Sequence, residues 1–182
     1  MKDKNVYIIC LSIFPLMVCS GIIYSILSLY FQSLGAGKSQ IGLLYTCGAT
    51  SGAITAPFLG QLSDRIGRKK VLLVSMALFA FVFFGYAISK TWGHLFPIQV
   101  GEGMAWAALG ASAMALIADF VPEERRGKAM GIYNTTWNLG WIIGPTLGGF
   151  LSDQIGFRLT FLICVFIILS GLAMGAFLLP KR

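Results

Sequence analysis

Charged residues in this 182-residue chain are confined to short clusters, and long apolar stretches separate them. Hydrophobic residues make up 57% of the chain and charged residues 12%, whereas soluble domains carry about 25% charged residues. Runs without a charged residue cover 5–37, 39–63, 71–89, 103–116, 129–152 and 159–180. Most of them reach the ~20 apolar residues that a spanning helix needs, so the sequence predicts an all-α membrane protein.

The apolar runs predict six transmembrane helices. The predicted spans are roughly 6–33, 41–62, 71–89, 94–117, 128–151 and 158–179. The loops between them are short and no low-complexity tract divides the chain, so residues 1–182 are expected to form one bundle. In the fourth span the helix is expected to begin near His94 and to carry Glu102 within it.

An internal repeat divides the chain into two units, about 1–90 and 91–182. Residues 60–67, with the sequence GQLSDRIG, return at 149–156 as GFLSDQIG and match at six positions. Three apolar runs separate the copies, so in a membrane the copies would lie on opposite faces. Such a 3+3 inverted repeat is the architecture from which alternating-access transporters are built.

Basic residues predict the orientation, because Lys and Arg near helix ends are retained on the cytosolic side. Those expected at the cytosolic face are Lys2, Lys4, Arg65, Arg68, Lys69, Lys70, Arg125, Arg126, Lys128, Lys181 and Arg182. Those expected at the opposite face are Lys38, Lys90 and Arg158. We therefore expect a multi-pass protein of the cytoplasmic (inner) membrane with both termini in the cytosol. The net charge of +7 reflects this topology, and nucleic-acid binding is not expected.

The loop between the second and third spans carries a specific pattern of glycines and charges. Its residues are Gly60, Leu62, Asp64, Arg65, Gly67, Arg68, Lys69 and Lys70. The glycines permit a tight reversal, Asp64 can cap or pair near a helix end, and Arg68 supplies a rigid fork of donors. We expect Asp119, at the cytosolic end of the fourth span, to be the acidic partner of Arg68.

This loop resembles the signature loop of the major facilitator superfamily, whose usual fold has twelve helices. The chain therefore resembles the N-terminal six-helix half of such a transporter. The resemblance implies that Asp64, Arg68 and Asp119 belong to a charged latch that holds the cytosolic side shut in one state. The alternative is that they only set topology and loop geometry. The segment from Asp119 to Gly127 also resembles the family's connection between helices four and five.

A second family-like stretch lies on the fifth span and contains Gly140, Gly144, Pro145, Gly148 and Gly149. It resembles the glycine-proline motif of the superfamily's antiporters. The glycines at 140, 144 and 148 form a smooth stripe along which another helix can approach, and Pro145 favours a bend. The resemblance implies a seal against proton leak. Ordinary packing of small residues is the alternative.

Glu102 is the only acidic residue predicted to lie well inside a membrane segment. An ionisable group is costly there, so it is a functional candidate by default, and we interpret it as a proton carrier. The family usually places an arginine four residues before the first glycine of Gly101-Glu102-Gly103, where this chain has Pro97. Coupling schemes that use the arginine therefore do not transfer. The alternative is a carboxyl group near the outer interface or hydrogen-bonded between helices.

Two polar stripes are candidates for a substrate cavity. Their members are Ser20, Tyr24 and Ser28 on the first span, and Asn134, Trp137 and Asn138 on the fifth. Four-residue spacing places members of each stripe on one helix face, and the asparagines turn away from the glycine stripe. The alternative is that these groups form interhelical hydrogen bonds that only hold the bundle.

Metal-binding and catalytic patterns are missing from the sequence. The four cysteines lie inside apolar runs without paired ligand spacing, and His94 is the only histidine. We expect neither an enzyme nor a metal site nor a cofactor, and no ATP site is required.

The function predicted is transport of a small solute by alternating access, most similar to proton-linked drug efflux by antiport. A nutrient symporter or uniporter of the same fold, and a non-transporting membrane subunit or assembly partner, remain open. The expected partners are the solute, protons, the lipid bilayer and a second six-helix half. That half is either a missing C-terminal part or a second copy in a homodimer, and the former is favoured because the sequence stops at residues 180–182, where the family's central loop begins.

Overall fold

The computed structural model describes residues 2–179, and within that range the regular structure is helical, without a strand. The α-helices are α1 (Lys2–Ser33), α2 (Lys38–Ile66), α3 (Arg68–Ile88), α4 (Leu95–Phe120) and α5 (Arg126–Leu178). Short 3-10 turns, Trp92–His94 and Glu123–Arg125, precede α4 and α5. The prediction of an all-α protein is confirmed. Lys181 and Arg182, used in the topology prediction, lie outside the described residues.

α5 is broken at Gly156, whose backbone angles (φ 77°, ψ 165°) are not helical. The break divides α5 into a first arm, 126–155, and a second arm, 157–178. At 1.5 Å per residue an unbroken helix of its 53 residues would extend about 80 Å, more than twice the ~30 Å thickness of a hydrocarbon core. The two arms match the fifth and sixth predicted spans.

Four helical segments are long and apolar enough to cross a membrane by length and composition. They are Lys4–Ser33, Arg68–Ile88, Trp92–Phe120 and Glu123–Leu178. α2 is not among them, because glycines and hydroxyl side chains lower its hydropathy, and the last segment contains two predicted spans. The expected six spans therefore correspond to four segments by this criterion, although each predicted span overlaps a helix or an arm of α5.

Glycines allow two helix pairs to approach until their backbones touch. A Cβ atom on Gly144 of α5 would lie 2.6 Å from the Cα atom of Gly21 in α1. A Cβ atom on Gly103 of α4 would lie 2.0 Å from the carbonyl oxygen of Gly48 in α2. Because no side chain fits at these distances, small residues join α1 to α5 and α2 to α4, as is common between membrane helices.

Aromatic side chains from α1, α3 and the second arm of α5 fill the interior. The largest fully buried ones are Tyr30, Phe31, Phe79, Phe83, Tyr86 and Phe161. Other large apolar side chains face outward, among them Phe58, Phe81, Ile142, Phe166 and Phe177. A surface this apolar is suited to lipid or to another protein surface rather than to water.

Candidate functional site

Glu102 of α4 lies at the centre of a buried hydrogen-bonded cluster, with 3% of its surface exposed. The Tyr24 hydroxyl of α1 donates to Glu102 Oε1 at 2.5 Å. The Tyr86 hydroxyl of α3 lies 2.5 Å from Glu102 Oε2. Trp106 completes the cluster, since its indole Nε1 donates to the Tyr24 oxygen at 2.7 Å. One carboxyl group therefore connects three helices, and these bonds offset part of the cost of burying it.

Gln99 extends the cluster toward the start of α4. Its side-chain oxygen Oε1 lies 2.6 Å from the Tyr86 hydroxyl, and the residue is buried. The cluster is uncharged apart from Glu102: the ion pairs found among the described residues do not involve this carboxyl group. Among the described residues, only uncharged hydrogen-bonding groups thus contact the Glu102 carboxyl group.

The sequence analysis missed Tyr86, Gln99 and Trp106. Gln99 precedes Glu102 by three residues and Trp106 follows it by four, so helical spacing placed both on the Glu102 face. No local signal indicated Tyr86, because it comes from another helix.

A cavity of about 640 Å³ opens beside this cluster. Tyr24, Glu102, Gln99 and Trp106 line one side, and small residues of α2, such as Gly48, line the other. The volume is within the range of small-molecule sites, which combine mostly apolar walls with a few convergent polar groups. The cavity can therefore accommodate a small solute in direct reach of the Glu102 cluster.

The predicted cavity residues are distributed unevenly. Tyr24 lines the cavity, and the Ser28 hydroxyl lies 3.0 Å from the Tyr45 hydroxyl, which also lines it. Ser20 is fully buried and its hydroxyl has no hydrogen-bond partner among the described residues. Asn134 and Asn138 are exposed on the first arm of α5 and are not part of the cavity lining.

An aromatic group continues the cavity wall toward α5. The ring centroid of Trp106 lies 5.2 Å from that of Trp137, and the Tyr24 ring lies 5.9 Å from Trp141. Trp137 is thereby placed next to the Glu102 cluster without lining the cavity itself. These rings provide flat apolar surface on which a solute can stack.

The glycine-proline stretch of α5 lies against α1. Gly140, Gly144 and Gly148 are buried at this contact, and Pro145 lies close to Gly21 of α1. A Cβ atom on Gly149 would meet nothing within 4 Å, so this glycine takes no part in the close approach.

The charged residues of the signature loop meet at the ends of α2, α3 and α4. Arg68 Nη1 lies 2.6 Å from Asp119 Oδ1, and Arg68 Nη2 lies 3.2 Å from Asp64 Oδ1. Nη1 also donates to the Ala115 carbonyl oxygen at 2.8 Å. The structure therefore brings together the three residues that the sequence analysis grouped as a latch.

Other signature-loop residues have different surroundings. Lys69 donates from Nζ to the Ala176 carbonyl oxygen at 3.0 Å and also to the Leu179 carbonyl oxygen, at the end of the second arm of α5. Arg65 is exposed, and Gly60 has open space where a Cβ atom would be. Gly67 has a φ of 103°, a conformation that side chains disfavour, so this glycine is required by the turn.

Among the described residues, no three His, Cys, Asp or Glu side chains are grouped as a metal site would require. Cys10, Cys19 and Cys164 are buried as free thiols, and Cys47 is half-buried. The Cys19 thiol donates to the Cys164 carbonyl oxygen at 3.6 Å, an interaction that holds α1 to α5.

Long apolar helices around a buried carboxyl group and an open cavity define a multi-pass membrane protein with an internal polar site. The model of the family described as Major Facilitator Superfamily matches residues 9–182. The chain belongs to this superfamily, which is a family of membrane transporters rather than of enzymes.

The proteins to which this chain is similar are each considerably longer than the chain itself. The quinolone resistance protein NorA of Staphylococcus aureus is 30% identical over 151 residues, which are 83% of this chain and 39% of NorA. An uncharacterized MFS-type transporter, MJ1560 of Methanocaldococcus jannaschii, is 31% identical over 165 residues, 91% of this chain and 43% of that protein. The chain thus spans less than half the length of the curated relatives it matches.

The fold is also similar to that of a solved transporter. The crystal structure of the human organic anion transporter MFSD10 (TETRAN) matches 98% of this chain and 48% of its own chain, with a TM-score of 0.82. Only 17% of the residues are identical. The shared property is therefore the helical arrangement of the superfamily.

Proposed function

We propose that this chain forms one six-helix half of a transporter that moves a small solute across the cytoplasmic membrane by alternating access. Its helices would be two triplets: α1, α2 and α3, then α4 and the two arms of α5. In support, α1 touches the first arm of α5 through glycines, and α4 touches α2 in the same way. An in-plane twofold axis that exchanges the triplets would interconvert these two contacts, as an inverted repeat requires.

A second six-helix half would complete the transport pathway. Large apolar side chains of α2 and of the first arm of α5 are exposed, including Ile54, Phe58, Ile142 and Phe150. The cavity beside Glu102 is bordered by α2 and is open. A second half, contributed by further residues or by a second copy, would cover such a face and supply the opposite cavity wall.

Glu102 is the group we propose as proton carrier, and the proton count at Tyr86 supports this role. The Tyr86 oxygen lies 2.6 Å from Gln99 Oε1 and 2.5 Å from Glu102 Oε2. A phenol has one proton and donates to only one of these two acceptors. Two arrangements satisfy both contacts. Either Glu102 Oε2 carries a proton and donates to the Tyr86 oxygen while Tyr86 donates to Gln99 Oε1, or deprotonated Glu102 accepts from Tyr86 while the Gln99 amide is rotated and donates from Nε2 to Tyr86. The cluster can therefore hold the carboxyl group with or without its proton, as a proton carrier requires.

We propose proton-coupled efflux on the basis of this cluster and the cavity beside it. A solute in the cavity and a proton on Glu102 would compete, because deprotonation of Glu102 reverses its bond with Tyr86 and rotates the Gln99 amide, and Glu102 and Gln99 both line the cavity. Exclusive occupancy by solute or proton is the requirement for antiport. The tight α1–α5 contact along the glycine-proline stretch would limit proton leak, and the relative named as a quinolone resistance protein favours an exported solute.

The test of this mechanism compares the Glu102→Gln variant with the parent protein, each as the native full-length protein reconstituted in vesicles. We expect proton-driven efflux to fall to the level of protein-free vesicles, whereas exchange of labelled for unlabelled solute continues, since the variant cannot lose a proton. Glu124→Gln, which removes an exposed carboxylate instead, should leave both activities unchanged. The substrate is a fluorescent dye found to be exported by the parent protein.

Four outcomes would change this assignment. Unaltered pH dependence in Glu102→Gln would remove the carboxyl group from the mechanism. Proton flux in the same direction as the solute would identify a symporter, and solute flux without proton flux a uniporter. A protein that moves no solute with its second half present would be a subunit without transport activity.

The charged cluster at Arg68 is proposed to act as a latch on the cytosolic face. Arg68 at the start of α3 joins Asp64 of α2 to Asp119 of α4. The side chains are 29%, 66% and 35% exposed, respectively, so each pair contributes no more than about 1 kcal/mol. A contribution of this size is suited to a contact that must break in each cycle. On the basis of the positive-inside rule, we propose that this face and both termini lie in the cytosol.

A further inference from the structure

A second cavity, also about 640 Å³, lies between α3 and α4 and shares no lining residue with the cavity at Glu102. Phe81, Gly85 and Ile88 of α3 and Ile98 of α4 are among its apolar lining residues. Phe81 and Ile88 are 72% and 58% exposed, so the cavity is a groove on the outer surface of the helices. We name it the α3–α4 groove.

One end of the α3–α4 groove is basic. Lys90 and His94 line it there, and both side chains are exposed without a hydrogen bond or ion pair among the described residues. Arg158 lies at the same end, since its Nη2 donates to the carbonyl oxygen of Ser89, another lining residue, at 3.1 Å. None of the described residues that line the groove is acidic. The groove therefore combines an apolar trough with a positive end.

The length of the trough corresponds to one lipid leaflet. Its lining residues on α3 extend from Leu78 to Ile88, ten residues along the helix. At 1.5 Å per residue this distance is about 15 Å, which is half of a ~30 Å hydrocarbon core. An acyl chain of one leaflet can therefore lie along the trough while its head group remains at the interface.

We propose that the α3–α4 groove binds one anionic phospholipid, with an acyl chain in the trough and the phosphate at Lys90 and His94. The combination of length and charge favours this occupant. A neutral solute would not use the basic end, whereas an anionic head group would be complementary to Lys90. The proposal requires a membrane-spanning chain but does not depend on the transport mechanism.

Native mass spectrometry of the purified protein in detergent tests the proposal. The probes are phosphatidylglycerol and phosphatidylcholine with the same acyl chains. We expect one phosphatidylglycerol to be retained preferentially. Lys90→Ala should reduce its affinity about fivefold, as expected for loss of one basic residue near a membrane surface, and should leave phosphatidylcholine binding unchanged. Lys38→Ala removes an exposed cation that does not line the groove and should have no effect.

A second variant tests the trough. Gly85→Leu places a side chain in the groove, where the nearest neighbours are flexible atoms of Ile98. We expect this variant to lose retention of both lipids, and its circular dichroism and elution volume will show whether it is folded. If it is not folded, Gly85→Ala, with its smaller side chain, takes its place and should weaken retention of both lipids.

Five results would overturn the proposal. Retention of phosphatidylglycerol unchanged in Lys90→Ala would exclude the basic end, and an equal loss in Lys38→Ala would indicate general charge attraction. Unchanged retention in folded Gly85→Leu would exclude the trough. Displacement of the lipid by millimolar glycerol phosphate would indicate a free anion site. A doubled mass on occupation of the groove would indicate a second copy as its occupant.

Discussion

The two copies of the repeat, 60–67 and 149–156, share a backbone device but differ in their charges. Each ends in a glycine with positive φ, 103° at Gly67 and 77° at Gly156. Two residues further on, each has a basic side chain that reaches the end of a neighbouring helix. Lys69 donates to Ala176 and Leu179 at the end of α5, and Arg158 donates to Ser89 at the end of α3.

The charges around these turns are not equivalent. In the first copy, Asp64 and Arg68 pair with each other, and Arg68 pairs with Asp119. In the second copy, Phe157 occupies the position of Arg68, and the exposed Asp153 has no ion pair or hydrogen bond among the described residues. The repeat thus preserves the chain reversal and the bond to the opposite helix, whereas the ion-pair cluster is confined to one copy.

Under the proposed latch mechanism, this difference separates a structural part of the motif from a part that acts in gating. A basic side chain at a helix C-terminus binds free carbonyl groups and is favoured by the helix dipole. α3 and the second arm of α5 run antiparallel, so each begins beside the end of the other and each carries one such side chain. An ion-pair cluster at both ends would stabilise both closed faces equally. If the cluster is a latch, its presence in one copy would give the two closed faces of the bundle different stabilities.

The largest expected difference between the copies is their accessibility. Arg65→Cys and Gln154→Cys place a thiol at equivalent, exposed positions of the two copies. In right-side-out vesicles, a membrane-impermeant maleimide should label the thiol at 154 and leave the thiol at 65 unlabelled. Both substitutions are made in a protein that also carries Cys47→Ser. Cys47 is the half-buried native cysteine that could react, whereas the other native cysteines are buried. Labelling of both positions from one side would contradict the inverted repeat.

The second expected effect concerns the shared backbone device. Gly67→Ala and Gly156→Ala should each lower the free energy of unfolding by about 1–3 kcal/mol, because alanine strongly disfavours these φ values. Gly60→Ala and Gly149→Ala are matched controls with open space around the added methyl group, and both should be close to neutral. Melting temperature in detergent is the measurement. Equal stability in all four variants would show that the turns tolerate other conformations.

The smallest expected effect concerns the ion-pair cluster. Asp64→Asn should change transport by about fivefold at normal abundance, since one exposed ion pair contributes at most about 1 kcal/mol to one conformational state. Asp153→Asn should leave transport unchanged, because that carboxylate is unpaired among the described residues. Transport is measured per protein in vesicles. Equal losses in the two variants would disfavour a latch confined to one copy.

The positions of the helices could be predicted from the sequence, whereas the six predicted membrane spans agree only in part with the segments that meet the length and composition criterion. Charge-free runs indicated each helix because charged groups are excluded from the hydrocarbon core. α2 failed the composition criterion, since its glycines and hydroxyl groups pack against α4 and line a cavity instead of facing lipid alone. Asp119 was also identified as the partner of Arg68, because a helix end at a known face restricts which acidic residues are within reach.

The sequence by itself determined the helical elements, the repeat and the isolated acidic residue Glu102, because hydropathy, glycine and charge act locally along the chain. Only the tertiary structure decided that Tyr24, Tyr86 and Gln99 surround this carboxyl group, and that Asn134 and Asn138 lie away from the cavity. The physical reason is that the rotation of each helix about its axis depends on backbone contacts at Gly21, Gly103 and their partners, and these contacts join segments far apart in the chain.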